Sequence, residues 1–276
     1  MHMLDETLIK KSLKTSFFGR YLYVLPETES TNSYALELVH EGAPEGTVIL
    51  TDFQKNGKGR LGRTWQSSRG VNILMTIILR PRINVESVQC ITLATADIII
   101  RSMEIFLNRE KVTDIEFNVK WPNDILVKDK KIAGILSESG IREKSVEYLV
   151  VGIGINVNQD VAQLSSEIRA KTTSLFAETG RTYQREKLIA QILVDYETSY
   201  IQLQRTDYAQ IIDRWKMRCN QIGNRIIVET VVSSERGRFI DVDPKGTLLY
   251  ETEEGQIKKL VAGSIKSENT LHGSDG

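Results

Sequence analysis

The chain has 276 residues, of which 41% are hydrophobic and 26% charged, the composition of an ordinary globular protein with a sizeable core. Its 36 lysines and arginines balance 36 aspartates and glutamates, which excludes a globally cationic nucleic-acid-binding protein. No apolar run approaches the roughly 18 residues that a membrane-spanning helix needs. The acidic start, followed by no apolar stretch, is unlike a signal peptide. We therefore expect a cytoplasmic protein that makes no contact with a membrane.

Cysteine and histidine chemistry is not indicated. Cys90 and Cys219 are the only cysteines, they lie far apart in sequence, and neither belongs to a Cys-x-x-Cys pair. The three histidines do not cluster with acids at metal-ligand spacing. Neither a disulfide framework nor a zinc site is expected, and no direct metal ligand is predicted.

The first part of the chain mixes helix and strand patterns. Helices are predicted over residues 4–14, 31–42 and 86–107, and strands over residues 21–25, 47–53 and 71–79. Ser30 or Thr31 is expected to cap the second helix. The third helix carries little charge and should be the central core helix. Residues 54–70, which join two of the strands, are polar and rich in glycine, and predict a long loop.

From residue 117 onward the strand signals follow one another closely. Strands are predicted over residues 117–121, 125–127, 132–139 and 146–157, with turns at 129–130 and 140–145. Connections this short favour antiparallel neighbours, because a parallel crossover needs a dozen or more residues. Further helices are predicted at 165–170, 188–196 and 208–215.

After residue 223 the pattern changes to short strands separated by turns. Strands are predicted over residues 225–230, 238–242, 247–250 and 258–261, and Glu235-Arg236-Gly237 is predicted to form a turn. This spacing is typical of a small SH3-like β-barrel. The chain is therefore predicted to be an α+β protein of two domains, residues 1–220 and 221–276.

The loop between Phe53 and Asn72 contains five cations and no acid. Gly57, Gly59 and Gly62 let its backbone approach a ligand closely, and the cationic side chains predict an anion such as phosphate or carboxylate. The same glycines match the spacing of the dinucleotide-binding fingerprint, but that motif follows a strand directly and opens a helix, which is not the pattern here. A Walker loop is absent. Taken alone, the loop is also compatible with a solvated basic segment.

Two further motifs stand outside this loop. Lys131 begins an apolar strand shortly after Lys120-Trp121-Pro122-Asn123-Asp124, which predicts a partly buried ammonium group with an anionic partner. A plain turn lysine paired with Asp129 or Asp124 is the alternative. Gly152 and Gly154 leave room on their strand for a flat group, or else pack against a helix.

In this order, the motifs resemble those of the biotin protein ligases over roughly residues 20–265. Ser30-Thr31-Asn32 resembles that family's biotin-contacting segment, and the stretch from Gln54 through Arg63 and Trp65 resembles its Gly-Arg-Gly-Arg-x-Gly-Arg adenylate loop. Residues 120–124, 131–134 and 152–156 resemble its Lys-Trp-Pro-Asn-Asp, Lys-x-x-Gly and Gly-x-Gly-x-Asn motifs. Lys58 stands where the family has its first loop arginine, so a planar bidentate contact is lost there.

The resemblance implies a class II synthetase-like catalytic domain with a mixed, largely antiparallel sheet packed on helices. It implies a reaction of biotin with Mg²⁺ and ATP to form biotinyl-5′-AMP, followed by transfer to a lysine of a biotin carboxyl carrier protein. Members that repress transcription carry an N-terminal helix-turn-helix domain that has no counterpart here, so DNA binding is not expected. A homodimer and a monomer both remain open.

Site residues are carried over motif by motif, and some serve more than one role. The implied biotin contacts are Ser30, Thr31, Asn32, Gln54, Lys58, Gly59, Arg60, Lys131 and Gly134. The implied nucleotide contacts are Arg60, Arg63, Trp65, Asn123, Asp124, Lys131 and Asn156. The implied catalytic residues are Lys131, Arg60 and Asp124.

The chemistry agrees with these assignments. Two anions, a carboxylate and the α-phosphate, must meet, and at 4 Å their repulsion is about 4 kcal/mol at an effective dielectric of 20. Lys131 between them, with Arg60 and Arg63 on the phosphates, would reverse that penalty. Asp124 could orient Lys131, help to hold metal or deprotonate the acceptor lysine. Three alternatives remain: a lipoate or octanoate ligase, a non-catalytic biotin-binding protein, and an RNA-binding module.

Overall fold

A computed structural model of the chain describes residues 2–204, 208–230 and 232–268. These residues form seven α-helices and two β-sheets. The helices are α1 (Glu6–Ser12), α2 (Thr31–His40), α3 (Val88–Arg109), α4 (Ser166–Lys171), α5 (Leu175–Thr179), α6 (Arg185–Leu203) and α7 (Ala209–Met217). Among the described residues, no helix is long and apolar enough to cross a membrane.

The larger sheet has seven strands in the order β1-β2-β3-β7-β6-β5-β4. They are β1 (Leu22–Leu25), β2 (Val48–Thr51), β3 (Ile73–Leu79), β4 (Phe117–Lys120), β5 (Asp124–Val127), β6 (Lys130–Arg142) and β7 (Ser145–Ile155). Only β1 and β2, which are joined through α2, run parallel, and every other ladder is antiparallel. The predicted mixed, largely antiparallel sheet is confirmed.

Helices cover the two faces of this sheet unequally. The main core contains α3 and α6 together with the inward side chains of the strands, and α3 is buried along nearly its whole length. The prediction of a central core helix is confirmed. On the opposite face α2 packs its Ala35 and Leu38 against Ile49, Ile78 and Val150. The candidate site lies on this second face, next to the N-terminus of α2.

The smaller sheet is antiparallel, with the order β11-β10-β9-β8-β12. Its strands are β8 (Arg225–Glu229), β9 (Ser234–Val242), β10 (Leu248–Thr252), β11 (Ile257–Leu260) and β12 (Ser264–Ser267). In the described part of the chain no ladder joins β11 to β12, so the expected small barrel is an open sheet. The change of sheet falls between α7 and β8, and the division at 220/221 stays a prediction.

Several local predictions were wrong. Glu235-Arg236-Gly237 lies inside β9, and just before this strand the Thr230 amide donates to the Ser233 carbonyl. Gly237 marks a close approach within the sheet, since a Cβ there would stand 2.5 Å from the Glu251 carbonyl oxygen. The turn between β6 and β7 occupies only residues 143–144, and the one before β6 is Lys128–Asp129. Helix α5 and strand β12 were not predicted.

Candidate active site

A cavity opens on the sheet beside the N-terminus of α2. Its volume is about 60 Å³. Its walls come from the N-terminus of α2, the basic loop, strands β3, β6 and β7, and Asn123 of the turn before β5. The lining residues are Ser30, Thr31, Asn32, Gln54, Lys58, Gly59, Arg60, Trp65, Leu74, Asn123, Lys131, Gly134, Ile135, Leu136, Gly152, Ile153 and Gly154.

The sheet register makes the floor of the cavity flat. Gly134 of β6 pairs directly with Gly154 of β7, and Leu74 and Asp124 continue the same row on the outer sides. Gly152 pairs with Leu136 in the next row. The glycines that were far apart in sequence therefore meet on one face, because residues two apart on a strand share a face.

Side chains of the chain itself occupy the two notches of Gly152-Ile153-Gly154. A Cβ at position 152 would stand 2.2 Å from Asn32 Oδ1, and one at position 154 would stand 2.6 Å from Cε2 of Trp65. The flat group expected over the glycine strand is thus the indole of Trp65. Its buried Nε1 has no hydrogen-bond partner in the described residues.

Lys131 reaches the same floor through a β-bulge. The ladder between β5 and β6 passes from Ile125 opposite Ala133 to Leu126 opposite Lys131, so Ile132 is left over. Because of this extra residue Lys131 shares a face with Gly134, which an odd spacing would otherwise prevent. A Cβ at position 134 would stand 2.8 Å from Lys131 Nζ, which explains the glycine of Lys-x-x-Gly.

The ammonium group of Lys131 has both an anionic and an aromatic neighbour. Its Nζ lies 2.6 Å from Asp124 Oδ1 and 5.4 Å from the centroid of the Trp65 ring. Both partners of the ion pair are partly exposed. Of the two acids that the sequence offered as partners of Lys131, Asp124 and Asp129, the structure places Asp124 against the ammonium group.

Gln54 links the basic loop to α2. Its Oε1 accepts hydrogen bonds from the Thr31 amide at 2.8 Å and from the Thr31 hydroxyl at 3.0 Å. Gln54 therefore accepts hydrogen bonds from the first residue of α2, whose amide has no partner within the helix. Ser30 occupies the predicted N-cap position, but its side chain makes no capping bond. Ser30 and Gln54 both line the cavity.

Asn32 is held on three sides. The Thr76 hydroxyl donates to its Oδ1 at 2.7 Å, and its Nδ2 donates to the Leu136 carbonyl at 3.1 Å and to Glu138 at 2.7 Å. Asn32 lines the cavity, but these bonds use both of its N–H groups. The hydrogen bonds of Asn32 thus fasten the N-terminus of α2 to the sheet.

The five cations of the basic loop do not all face the cavity. Glu27 pairs with Lys55 at 3.0 Å and with Arg69 at 2.5 Å, so one acid joins the two ends of the loop. These two ion pairs hold the pKa of Glu27 below its ordinary value. Three loop cations remain for the site, namely Lys58, Arg60 and Arg63. The lack of acids within the loop therefore does not leave all five cations unpaired, because Glu27 lies outside the loop in sequence.

Lys58 and Arg60 line the cavity, whereas Arg63 is exposed and does not line it. Arg60 Nη1 donates to Asn123 Oδ1 at 3.4 Å. Burial lowers the pKa of Arg60, and burial likewise lowers the pKa of Lys120, with Asp124 opposing both shifts. The Lys-Trp-Pro-Asn-Asp turn and the basic loop therefore meet at Asn123.

Two predicted residues lie elsewhere. Asn156 is only 3% exposed, donates to the Thr173 carbonyl at 3.0 Å and does not line the cavity. Trp121, of the Lys-Trp-Pro-Asn-Asp motif, is buried in the main core. Among the described residues no group of three metal-ligating side chains was found. Conversely, Leu74, Thr76, Leu136 and Glu138 were missed, since only the strand register brings them to the site.

Comparison with known proteins supports one family. The profile of the biotin/lipoate A/B protein ligase family matches residues 24–156. The "Bifunctional ligase/repressor BirA" of Bacillus spizizenii is 35% identical over 95% of this chain and 79% of its own length. A "Biotin--[acetyl-CoA-carboxylase] ligase" of Mycobacterium tuberculosis is 28% identical over 95% of both chains.

Solved structures agree with this result. A biotin protein ligase from Aquifex aeolicus in complex with biotin and ATP has a TM-score of 0.73 and 26% identity, covering 90% of this chain and 98% of its own. Fold and site thus define a ligase of the biotin and lipoate class. The chain belongs to the biotin protein ligase family.

Proposed function

We propose that this chain uses ATP to activate biotin as biotinyl-5′-AMP and then transfers biotin to a lysine of a carboxylase carrier domain. The observation that carries the proposal is the Lys131–Asp124 pair over the glycine floor, with Arg60 and Lys58 beside it and the Gln54–Thr31 pair in the same cavity. The names of the relatives support the choice of substrates. The geometry of the cavity supports the roles given to the residues.

The Gln54–Thr31 pair is complementary to a ureido group. Both Thr31 donors point to Gln54 Oε1, so Gln54 Nε2 remains as a donor and Thr31 Oγ1 as an acceptor. A ureido ring presents one carbonyl acceptor and N–H donors, and the Ser30 hydroxyl adds a further partner. This pattern favours biotin over lipoate, whose dithiolane ring offers neither group.

In the first step a carboxylate oxygen of biotin attacks the α-phosphorus of ATP, and pyrophosphate leaves. An ammonium group has three donors, so Lys131 can keep Asp124 while it binds one carboxylate oxygen and one phosphate oxygen. Arg60 and Arg63 take the charge of the phosphates, and Mg²⁺ enters with ATP on the triphosphate. Asp124 holds Lys131 in place, and Trp65 and Asn123 face the adenylate.

In the second step the ε-amine of the acceptor lysine attacks the acyl carbon, AMP leaves, and the amine loses its proton. No covalent bond to the enzyme is needed in either step. The cavity of about 60 Å³ is well below the roughly 300 Å³ of ordinary small-molecule pockets, so the loop that carries Lys58 and Trp65 must move outward to admit biotin. The nucleotide contact by Asn156 stays a prediction, since this side chain is buried.

The finer points of partnership stay predictions: an acceptor of the biotin carboxyl carrier type, no binding of DNA, a homodimer or a monomer, and a cytoplasmic location. The activity itself is tested by supplying ATP with biotin, lipoate or octanoate in parallel and measuring the acyl-AMP by mass spectrometry. We expect biotinyl-AMP alone. Lipoyl-AMP or octanoyl-AMP as the main product would favour the other branch of the family, and binding of biotin without any adenylate would indicate a non-catalytic protein.

A further inference from the structure

A turn of the smaller sheet is docked on the motif that carries Asp124. Residues 243–247 form this turn, which is closed by bonds from the Lys245 and Thr247 amides to Asp243 Oδ1 at 2.9 and 3.0 Å. Gly246, at its tip, donates its amide to the Asp243 carbonyl and exposes its own carbonyl to the larger sheet.

The indole of Trp121 receives this turn. Trp121 is 1% exposed, and its Nε1 donates to the Gly246 carbonyl at 3.1 Å. Gly246 has a φ of +82°, and a Cβ there would stand 3.0 Å from Gln89 Cγ and 3.2 Å from the Cys90 amide nitrogen of α3. The position admits only glycine comfortably, on grounds of both backbone conformation and space.

Further bonds join the same elements. Gln89 Nε2 donates to the Pro122 carbonyl at 3.2 Å, and Cys90 Sγ donates to the Pro244 carbonyl at 3.2 Å. Lys245 pairs with Glu86 just before α3. The N-terminal end of α3, the turn of the smaller sheet and Trp121-Pro122 therefore form one packed unit.

The turn at residues 121–123, which precedes β5, is also hydrogen-bonded to β6. The Ile135 amide donates to the Asn123 carbonyl at 3.0 Å, and Asn123 Nδ2 donates to the Ile135 carbonyl at 2.7 Å. The next residue is Asp124, which holds Lys131. Residues 121–124 are thus fixed between the smaller sheet and the strand of the lysine.

We propose that Trp121 is a positioning residue, through which the Gly246 turn of the smaller sheet holds Asn123 and Asp124 in register with Lys131. Trp121 does not line the cavity of the candidate site, and it acts through Asn123 and Asp124. The inference rests on the proposed function for its effect on catalysis, but the placement of the Asn123 turn can be measured without any reaction.

The test compares two pairs of variants at a temperature where all are folded. Gly246→Ala is matched by Gly255→Ala, which has a similar φ of +77° in another turn but no neighbour within 4 Å of its Cβ. Trp121→Phe, which removes only the indole N–H and part of the ring, is matched by Trp215→Phe, an equally buried indole of α7 outside the site.

We expect amide hydrogen exchange at Ile135 to accelerate about fivefold or more in Gly246→Ala and Trp121→Phe, and to stay unchanged in the two controls. We expect kcat for adenylate formation to fall about tenfold in the same two variants, with the biotin Kd within about twofold of wild type. The kcat of the double variant should be close to that of either single variant, because both substitutions break the same contact between Trp121 and Gly246.

Unchanged Ile135 exchange in both variants would overturn the proposal, whatever the activity of the protein. The proposal would also be overturned if the loss of kcat in the double variant equalled the combined losses of the two single variants. If the wild type forms no adenylate but the exchange pattern is as expected, the proposed function fails while the positioning of the turn stands.

Discussion

The indole of Trp65 lies against Gly154 so closely that a side chain at position 154 would begin 2.6 Å from the ring. Trp65 belongs to the basic loop and Gly154 to the central strand β7. The loop is therefore seated on the sheet by a contact that depends on the absence of a Cβ. Lys131 lies 5.4 Å from the same ring, so the seat of the loop and the proposed catalytic lysine are neighbours.

Gly154→Ala should prevent Trp65 from returning to its place on the sheet after biotin has entered, because the new methyl group occupies the space of the indole. Biotin binding should therefore weaken. We expect the biotin Kd, measured by isothermal titration calorimetry, to rise about tenfold or more. Gly140→Ala is the matched control, since its Cβ would meet Tyr148 at 2.1 Å in the same sheet but outside the cavity. A rise in Kd for Gly140→Ala equal to that for Gly154→Ala would show that general strain, not the Trp65 seat, is responsible.

Gln54→Glu tests the proposed ureido contact. The substitution keeps an acceptor for Thr31 but removes the Nε2 donor that the ureido carbonyl would need. We therefore expect the biotin Kd to rise about tenfold or more, which is a loss of about 1.4 kcal/mol of binding free energy. Gln66→Glu makes the same change at an exposed position of the same loop and should leave the Kd unchanged. Wild-type affinity in Gln54→Glu would rule out the contact.

The strand order explains which parts of the site were predictable. Lys131 and Gly134 stand close together in sequence, and their chemistry was evident from the motif. Their placement on one face depends on a bulge at Ile132 that has no sequence signal. The partners of Lys55 and Arg69 could not be found by counting charge along the loop, because Glu27 lies on the far side of two elements.

Helix α5 shows a different kind of omission. Its signals were present, since Ser174 caps the Ala177 amide and Gly180 ends the helix in the left-handed region at a φ of +69°. With only five residues it has no apolar period to detect. Long periodic elements such as α3 and the alternating strands were predicted correctly, since burial of one whole face determines them.

Arg185→Met should destabilise the fold without a direct effect on the site. Arg185 is 3% exposed, lies 2.8 Å from Asp52 and also donates to the Asn72 carbonyl. Its removal leaves a buried carboxylate unpaired, so the free energy of unfolding in urea should fall by about 3–5 kcal/mol. Arg225→Met, in which a mostly exposed arginine loses a 3.9 Å pair with Glu268, should change it by less than about 1 kcal/mol. Equal effects would contradict this account.

The basic loop should become protected when the adenylate forms. Tryptic cleavage after Lys58, Arg60 or Arg63 requires local opening, and the adenylate would bind these side chains and shield the mixed anhydride from water. We expect the cleavage rate to fall about tenfold or more when biotin and ATP are both present. Cleavage after Arg225, outside the loop, serves as the internal control. Equal loop cleavage with and without both substrates would count against loop closure.

The most direct test is the rate of biotin-dependent exchange between ATP and pyrophosphate in Lys131→Ala, with Lys128→Ala as its control. Lys128 is an exposed lysine three residues earlier that pairs with Glu178, and its removal should leave the exchange rate within about twofold of wild type. The exchange rate of Lys131→Ala should fall at least about a hundredfold, because in the proposed mechanism the Lys131 ammonium group binds both the carboxylate and the phosphate. Wild-type exchange in Lys131→Ala would contradict the central claim.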